Sequence, residues 1–331
     1  MLGRLREVLA GAEVVSDAFA SALGVLRENA GDMPAVDILV GEPGFFGRDD
    51  VRLPLGEGRV LQVALSEHLA HDETYFRFLR LAASVIDQAV DRIRAREAEE
   101  ALGEALQRSL LTDPPSVDGV SVAVRYRPSA ERARVGGDWY DAFLGPDGRL
   151  NVVVGDVTGH DQTSAAAMGQ LRNVLRGVAW TLDGTPAAML RALDRAAEGL
   201  AVGTYATALL ARVCDGTLQW SNAGHPPPVL IAPDGTARLL EAVPDPLLGL
   251  GEDSARGDHV VALEPGCTVV FYTDGLIERR SEPLTARLAW LVGLLQGCEV
   301  LGTEELCERI LAAAGDHLDD DVALLVLRVD Q

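Results

Sequence analysis

The chain has 331 residues, of which 48% are hydrophobic and 24% charged, and this length predicts about two globular domains. The 50 acidic residues outnumber the 29 basic ones and give a net charge of −21, which disfavours binding to nucleic acid or to an anionic membrane. All basic residues other than histidine are arginine, so lysine-based covalent catalysis and a Walker-type phosphate loop are excluded.

The first part of the chain predicts a small α+β domain. Helical periodicity covers roughly residues 5–28, and strand-like apolar runs follow at Ala35–Val40 and Val60–Leu65. A second helical pattern runs over residues 75–111, where two prolines end it. The middle of this helix, DRIRAREAEE, is too polar for a core. The helix therefore either lies solvated on its own domain or, as we prefer, pairs with a second copy in a dimer.

From residue 117 onwards the pattern changes to short apolar strands, several of them separated by Asp-Gly turns. Helices occur in pairs between these strands. This order predicts a layered α/β sandwich in which helices pack outside two sheets. The predicted strands are Val120–Tyr126, Leu150–Gly155, Tyr205–Cys214, Thr217–Ser221, Pro228–Ile231, His259–Leu263, Thr268–Tyr272 and Val322–Val329. The predicted helices are Thr163–Trp180, Thr185–Leu200, Thr285–Gln296 and Thr303–Ala314.

The cysteines and the hydropathy pattern indicate a cytoplasmic protein. Four cysteines are present without a C-x-x-C pair, which is typical of small buried thiols in a reducing compartment. We find no secretory signal pattern, and no apolar run approaches the ~20 residues that a membrane-spanning helix needs.

Acidic residues recur beside apolar strands in four motifs. These are GGDWYDAF with Asp138 and Asp141, NVVVGDVTGH with Asp156, TVVFYTDGLIE with Asp274, and HLDDDVALLVLR with Asp319, Asp320 and Asp321. Any one motif alone is typical of a turn. Together they place carboxylates next to strands that are apolar enough to be buried, and a buried carboxylate is costly unless it is paired or binds a metal.

Clustered carboxylates favour Mg²⁺ or Mn²⁺ over zinc, because the histidines and cysteines lack ligand spacing. Two such ions bridged by one carboxylate can activate water and hold a phosphoryl oxygen. Asp156 is the best bridging candidate, since Gly155 and Gly159 permit a close approach of the backbone. The carbonyl of Val157 can supply a further ligand. The arginines nearest to Asp274 in sequence, at positions 279 and 280, are the alternative partners for its charge.

Seven segments in order resemble the SpoIIE-like branch of the PPM metal-dependent serine/threonine phosphatases. They are GGDWYDAF, VVVGDVTGH, YATALLA, SNAGHPPPVL, PLLGLGE, FYTDGLIE and DDDVALLVLR, and the resemblance covers about residues 106–329. It implies a PPM-type β-sandwich flanked by helices and two Mn²⁺ or Mg²⁺ ions. It also implies hydrolysis of phosphoserine or phosphothreonine on a protein, with an anti-anti-sigma-like regulator in a partner-switching pathway as the substrate.

The resemblance assigns roles to individual residues. Asp156 corresponds to the bridging metal ligand and Val157 to the ligand that acts through its carbonyl, while Asp138 and Asp274 correspond to further metal ligands. Asp320 and Asp321 correspond to the closing acidic pair of the family. Asp141 is a weaker candidate, because that position can be structural. His160 is a candidate general acid for the leaving serine oxygen, although a structural role is the stronger alternative.

The segment from Phe45 through the helix at residues 75–93 resembles a GAF domain. The predicted organisation is therefore a GAF-like sensor or dimerisation domain at residues 1–93, a connector helix at 94–114 and a phosphatase domain at 115–331. Asp161 stands where the family usually has glycine, and this favours one alternative, a pseudophosphatase that binds a phosphoprotein without turnover. A different two-metal hydrolase, acting on nucleotides or nucleic acid, is a third hypothesis, and the net charge of −21 disfavours polymeric nucleic acid. The loop Asn222–His225 is either a rigid turn or a ligand contact.

Overall fold

A computed structural model describes residues 1–28, 31–40, 50–56, 58–66, 69, 72–128, 136–159, 162–243, 245–250, 255–279, 282–315 and 318–330. Within these ranges, only the backbone is described at residues 50, 99–110 and 162. The contacts of the chain divide it into two compact units, Met1–Leu102 and Gly103–Gln331. No helix among the described residues is both long and apolar enough to cross a membrane.

The first unit builds one core from helices and a three-stranded antiparallel sheet with the order β1-β3-β2. Leu9, Leu26, Leu61 and Ile86 are buried together in this core. The elements are α1 (Leu2–Ala10), α2 (Val15–Arg27), β1 (Ala35–Val40), β2 (Asp50–Leu55), β3 (Arg59–Ala64) and α3 (Glu73–Leu110).

Two features of this unit differ from the sequence-based expectation. The single helix expected over residues 5–28 is wrong: α1 ends before Gly11, and α2 starts after Val14, which is extended. Glycine costs about 0.5–1 kcal/mol in a helix interior relative to alanine, so a break at this point is favourable. Strand β2, which contains Pro54, was not predicted. It lies at the edge of the sheet, the position to which proline is largely confined within sheets.

Helix α3 is long, as the sequence predicts, and spans 38 residues. At its start the carboxylate of Asp72 accepts two backbone N–H groups of the first turn, at 2.8 and 3.2 Å, as an N-cap residue does. Ile86 and Ile93, seven residues apart, are buried on one face. The helix ends shortly before Pro114, because a residue that precedes proline is disfavoured in the α conformation.

The second unit is a sandwich of two five-stranded sheets, flanked by helices on both sides. The first sheet has the order β10-β9-β12-β13-β4 and the second has the order β11-β8-β7-β6-β5. Val152 and Leu209 of the second sheet share a buried layer with Val269 and Leu325 of the first. Helices α4 and α5 cover the second sheet, while α6 and α7 cover the first. The predicted helix-flanked sandwich is confirmed.

The strands of this unit are β4 (Val120–Arg127), β5 (Asp138–Leu144), β6 (Leu150–Val157), β7 (Ala206–Cys214), β8 (Thr217–Ala223), β9 (Val229–Ile231), β10 (Ala237–Leu239), β11 (His259–Ala262), β12 (Thr268–Tyr272) and β13 (Val322–Val329). The helices are α4 (Gln162–Thr181), α5 (Pro186–Gly199), α6 (Leu284–Leu295) and α7 (Thr303–Ala314). Every predicted strand and helix of this unit is present, with ends that agree within about two residues. Strands β5 and β10 were not predicted: two acidic residues interrupt the apolar pattern of β5, and β10 is very short.

Asp141 joins strand β5 to helix α4. Its carboxylate is fully buried and accepts two hydrogen bonds from the guanidinium of Arg176, from Nε to Oδ2 and from Nη2 to Oδ1, both at 2.7 Å. Nη2 of Arg172 donates to Oδ1 at 3.2 Å. Both arginines also donate to the hydroxyl of Thr112, at 2.7 and 3.0 Å. Thr112, two positions after the end of α3, is therefore hydrogen-bonded to α4 and linked through its arginines to Asp141 on β5.

Removing the carboxylate of Asp141 should destabilise the second unit strongly. The Asp141→Ala variant leaves two guanidinium groups near one another without their anion, and breaking a buried pair in this way costs about 3–5 kcal/mol. Urea unfolding of the full chain measures the difference. Glu308→Ala is the control: it removes an exposed partner of Arg125, 2.9 Å away, and should cost at most about 1 kcal/mol. Equal losses in both variants would contradict a structural role for Asp141.

Candidate metal centre

Asp138 and Asp156 are brought together by strand pairing. They lie on adjacent antiparallel strands, β5 and β6, and are direct partners in the register. Side chains directly opposite each other in such a pair point to the same face of the sheet. The two carboxylates therefore share one face, although 17 intervening residues separate them in sequence. Asp138 is buried and Asp156 is half-buried.

Asp274 reaches the same place from the other sheet. Strand β12 ends at Tyr272, and Asp274 begins a short 3-10 turn, Asp274–Leu276. One carboxylate oxygen from each of Asp138, Asp156 and Asp274 lies within 4.8 Å of the other two. We call these three residues the carboxylate triad. It is assembled from both sheets of the sandwich, so the packing of the sheets sets its dimensions.

Thr273 links the triad to the backbone of the first sheet, and the sequence analysis missed it. Its hydroxyl donates to Oδ2 of Asp138 at 2.7 Å and accepts the backbone N–H of Ala323 at 2.8 Å. Because the Ala323 N–H can only donate, the hydroxyl proton is directed at Asp138. The sequence does contain one sign of this role: Thr273 stands between the end of an apolar strand and Asp274.

Asp320 and Asp321 precede β13 beside the triad. The charges of both raise the pKa of Asp156, and that of Asp320 also raises the pKa of Asp274, so both lie within electrostatic range. The buried carboxylate of Asp321 accepts a hydrogen bond from the Tyr126 hydroxyl at 2.8 Å. The two acidic residues thus differ in surroundings: a phenol on β4 fixes one Asp321 oxygen, whereas Asp320 lines a cleft.

Glycines allow the backbone to approach the triad closely. A Cβ atom at Gly137 would overlap the carbonyl oxygen of Val157, and one at Gly275 would overlap the carbonyl oxygen of Asp321. The N–H of Val157 donates to the Gly137 carbonyl at 3.1 Å, which extends the β5–β6 ladder by one bond. The same Cβ atom at Gly137 would also come within 2.9 Å of Oδ1 of Asp156, so the carbonyl of Val157 and the carboxylate of Asp156 lie side by side.

The triad carries more negative charge than its surroundings neutralise. Burial, together with the charge of Asp274, raises the pKa of Asp156 to about 7, and burial raises the pKa of Asp274 to about 6. Burial and the neighbouring carboxylates raise the pKa of Asp138 well above its usual value. None of the ion pairs among the described residues involves a triad member.

The arginine proposed from sequence as an alternative partner of Asp274 is engaged elsewhere. The guanidinium of Arg279 donates to the carbonyl oxygens of Gly275 and Ala314, at 3.1 and 3.3 Å. Arg280 lies outside the described residues. Buried carboxylates that lack a cation provide the hard oxygen donors that Mg²⁺ and Mn²⁺ prefer, so the residues present fit a divalent metal ion.

An open cleft of about 360 Å³ lies beside Asp320 and next to the 3-10 turn that begins at Asp274. It is lined by Ile277, Glu278, Arg279, Glu282, Leu284, Asp319 and Asp320. His160, the candidate general acid, and Asp161 lie outside the described residues.

Asp141 does not belong to the triad. It lies three positions after Asp138 on β5, and an odd spacing along a strand places side chains on opposite faces of the sheet. Its carboxylate faces α4, whereas that of Asp138 faces β12. The loop Asn222–His225 forms a closed turn: the Asn222 side chain donates to the His225 carbonyl and accepts its N–H, both at 2.7 Å.

Comparison with known proteins places this geometry in a family. Residues 146–330 match the family described as stage II sporulation protein E (SpoIIE). The chain is 26% identical over 251 residues to the phosphoserine phosphatase RsbP of Bacillus subtilis, a match that covers 71% of this chain and 58% of RsbP.

Solved structures agree with this match. The RsbU and RsbW domains of Rv1364c from Mycobacterium tuberculosis are 34% identical with a TM-score of 0.57, covering 67% of this chain and 63% of that one. The SiaA-PP2C domain of Pseudomonas aeruginosa is 20% identical with a TM-score of 0.61, covering 73% of this chain and all of that domain, and shows the same fold.

The chain spans less than two thirds of the length of RsbP and of the Rv1364c chain. The family match nevertheless extends over more than half of this chain and includes the strands and turns that carry Asp156, Asp274 and Asp320. On this evidence the chain belongs to the SpoIIE family.

Proposed function

We propose that the protein is a phosphoserine/phosphothreonine protein phosphatase that requires Mn²⁺ or Mg²⁺ and acts in bacterial signalling. The observation that carries the proposal is the carboxylate triad, in which three acidic groups from two sheets converge within 4.8 Å without a cation among the described residues. The similarity to RsbP, a phosphoserine phosphatase, supports the choice of substrate class.

The proposed ligand set is Asp138, Asp156, Asp274, Asp320 and Asp321, together with the carbonyl of Val157. Two bound ions would supply the Lewis acidity for attack of water on a phosphate monoester. In the reaction one P–O bond forms to water, the P–O bond to the side chain breaks, and the released hydroxyl takes up a proton. Asp156, on which Asp138, Asp274, Asp320 and Asp321 all act, is the proposed shared ligand of the ions, and Thr273 holds the Asp138 carboxylate in place. His160 remains a proposed donor of that proton.

The partner proposed for the site is a phosphorylated regulator of the anti-anti-sigma type. The proposal is supported by the similarity of this chain to the phosphoserine phosphatase RsbP and to the RsbU and RsbW domains of Rv1364c from Mycobacterium tuberculosis. The acidic cleft beside Asp320 suits a protein segment that brings its own positive charge. The net charge of −21 argues against nucleic acid and against anionic membranes as partners. Four buried free cysteines support a reducing, cytoplasmic location.

We also propose the organisation inferred from the sequence: a GAF-like sensor or dimerisation domain at residues 1–93, a connector helix at 94–114 and the phosphatase domain at 115–331. The segment that begins at Phe45, on which the GAF-like resemblance depends, lies partly outside the described residues. The length of α3 and the leucines at positions 102, 106 and 110 support a homodimer formed through the connector helix.

Hydrolysis should depend on metal and on the triad. With Mn²⁺ present, the full chain should cleave p-nitrophenyl phosphate and a phosphoserine peptide, and EDTA should abolish both activities. Asp156→Asn and Asp274→Asn should each lower turnover by orders of magnitude, because each removes a charge that holds the metal ions. Asp215→Asn makes the same charge change in an exposed turn and should leave turnover unchanged. Full activity in metal-free buffer would refute the metal centre, and Mn²⁺ binding without turnover would favour the pseudophosphatase.

Ionisation of Asp156 should destabilise the metal-free protein as the pH rises. The pKa of Asp156 is raised from 3.8 to about 7 in the folded state, so its ionisation opposes folding progressively over that interval and fully above it. Asp156→Asn should therefore raise the Tm of the metal-free protein at about pH 8 and change it little at about pH 4. Adding Mn²⁺ at the higher pH should raise the Tm of the wild type more than that of the variant. A lower Tm for metal-free Asp156→Asn at the higher pH would contradict repulsion between Asp156 and its acidic neighbours.

The dimer proposal is tested by light scattering on the full chain. We expect a dimer that Leu106→Glu weakens, because the substitution places a charge in the leucine stripe of the connector helix. Gln107→Glu adds the same charge one position away, outside that stripe, and should leave the dimer intact. A monomeric wild-type chain would show that the connector helix is only a tether.

A further inference from the structure

A buried histidine outside the proposed ligand set connects the two sheets next to the triad. The imidazole of His225 has its Nδ1 atom 2.8 Å from the hydroxyl of Thr207 on β7, in the second sheet. Its Nε2 atom lies 3.0 Å from the carbonyl oxygen of Tyr272 on β12, in the first sheet. His225 is 4% exposed, so these are contacts of the protein interior.

The two contacts fix the direction of each hydrogen bond. The carbonyl oxygen of Tyr272 can only accept, so Nε2 carries the proton and donates it. In the neutral ring Nδ1 is then an acceptor, and the hydroxyl of Thr207 donates to it. The interior favours this neutral form, since burial lowers the pKa of His225 to about 4.

Both ends of this connection lead directly to the triad. Thr207 is the register partner of Asp156 on the neighbouring strand β7. The Tyr272 carbonyl belongs to the peptide that joins Tyr272 to Thr273, one residue before Asp274. The imidazole therefore connects the strand that pairs with Asp156 to the strand end that carries Asp274.

The loop around His225 is built to hold this position. Asn222 closes the turn through two hydrogen bonds to the His225 backbone. Gly224 has a φ of +69°, in the left-handed region, and a Cβ atom there would overlap the side chain of Leu247. The hydroxyl of Tyr272 donates to the carbonyl of Pro227 at 2.7 Å, so the loop contacts Tyr272 at its backbone and at its side chain.

We propose that His225 is a positioning residue that sets the separation of Asp156 and Asp274 across the two sheets and thereby the affinity of the site for divalent metal. The inference rests on the proposed function, because it concerns the same metal centre. A residue that only packs would lower stability without changing metal affinity. A residue that sets the ligand separation changes metal affinity in a folded protein.

The experiment compares Mn²⁺ affinity by titration calorimetry on the full chain, with folding checked by circular dichroism. His225→Phe keeps a ring but removes both hydrogen bonds, and we expect affinity to fall by about 10–100-fold, the range seen when a group that orients metal ligands is removed. His225→Gln restores a donor and an acceptor and should recover part of the loss. Thr207→Val removes one hydrogen bond and should cause an intermediate loss.

The control is Val269→Ala, which creates a cavity on the same strand β12 without touching His225. It should lower the Tm but leave Mn²⁺ affinity unchanged. Hydrolysis of p-nitrophenyl phosphate provides a second readout: in His225→Phe the Mn²⁺ concentration for half-maximal activity should rise more than turnover at saturating Mn²⁺ falls.

The outcomes separate the two proposals. If the wild-type chain does not bind Mn²⁺, the proposed function fails and this inference fails with it. If the wild type binds and folded His225→Phe binds equally tightly, the positioning role alone is overturned. Should His225→Phe not fold, Thr207→Val decides: an unchanged Mn²⁺ affinity in that folded variant overturns the role, and a weakened affinity supports it.

Discussion

Repulsion among three carboxylates in a shared, largely buried site is the constraint on which the second unit depends. Asp138, Asp156 and Asp274 approach within 4.8 Å, and burial disfavours their ionised forms. Nothing in the pairing of strands alone would hold Asp274 there, since it comes from the opposite sheet. The packing of the sandwich holds it there: the strands and helices bury an apolar layer on each face of both sheets, and the free energy of this burial exceeds the local repulsion.

The polar groups around the triad stabilise one arrangement of those carboxylates. The Thr273 hydroxyl oxygen accepts the backbone N–H of Ala323, so the hydroxyl proton is donated to the carboxylate of Asp138. Tyr126 holds one oxygen of Asp321, and His225 connects β7 to the end of β12. Each of these three side chains forms a hydrogen bond with a part of the chain that is distant from it in sequence. Asp138 and Asp321 are thus held by hydrogen bonds of the protein itself, which reduces the conformational cost of binding an ion.

Sequence reasoning located the members of the triad because each stands in one of the recognised motifs, and because Asp156 and Asp274 come at the ends of apolar runs. It could not decide which acidic residue faces which side. Asp138 and Asp141 lie in the same seven-residue strand, and only the register with β6 shows that the first shares a face with Asp156. Thr273 was missed for a related reason: its role depends on the Ala323 N–H, 50 residues further along the chain. Long-range partners of this kind leave no local pattern.

The face of β5 that lacks Asp138 carries a second polar cluster, and its geometry bears on how α3 connects to the site. Asp141 binds Arg172 and Arg176 on α4, and both arginines reach Thr112, two residues after α3 ends. Strand β5 thus holds the triad member Asp138 at one end and the anchor of α4 three residues later. Thr112 cannot move without breaking bonds to two arginines or shifting α4 with it. Thr112 is therefore tied, through Asp141, to the same strand that presents Asp138 to Asp156.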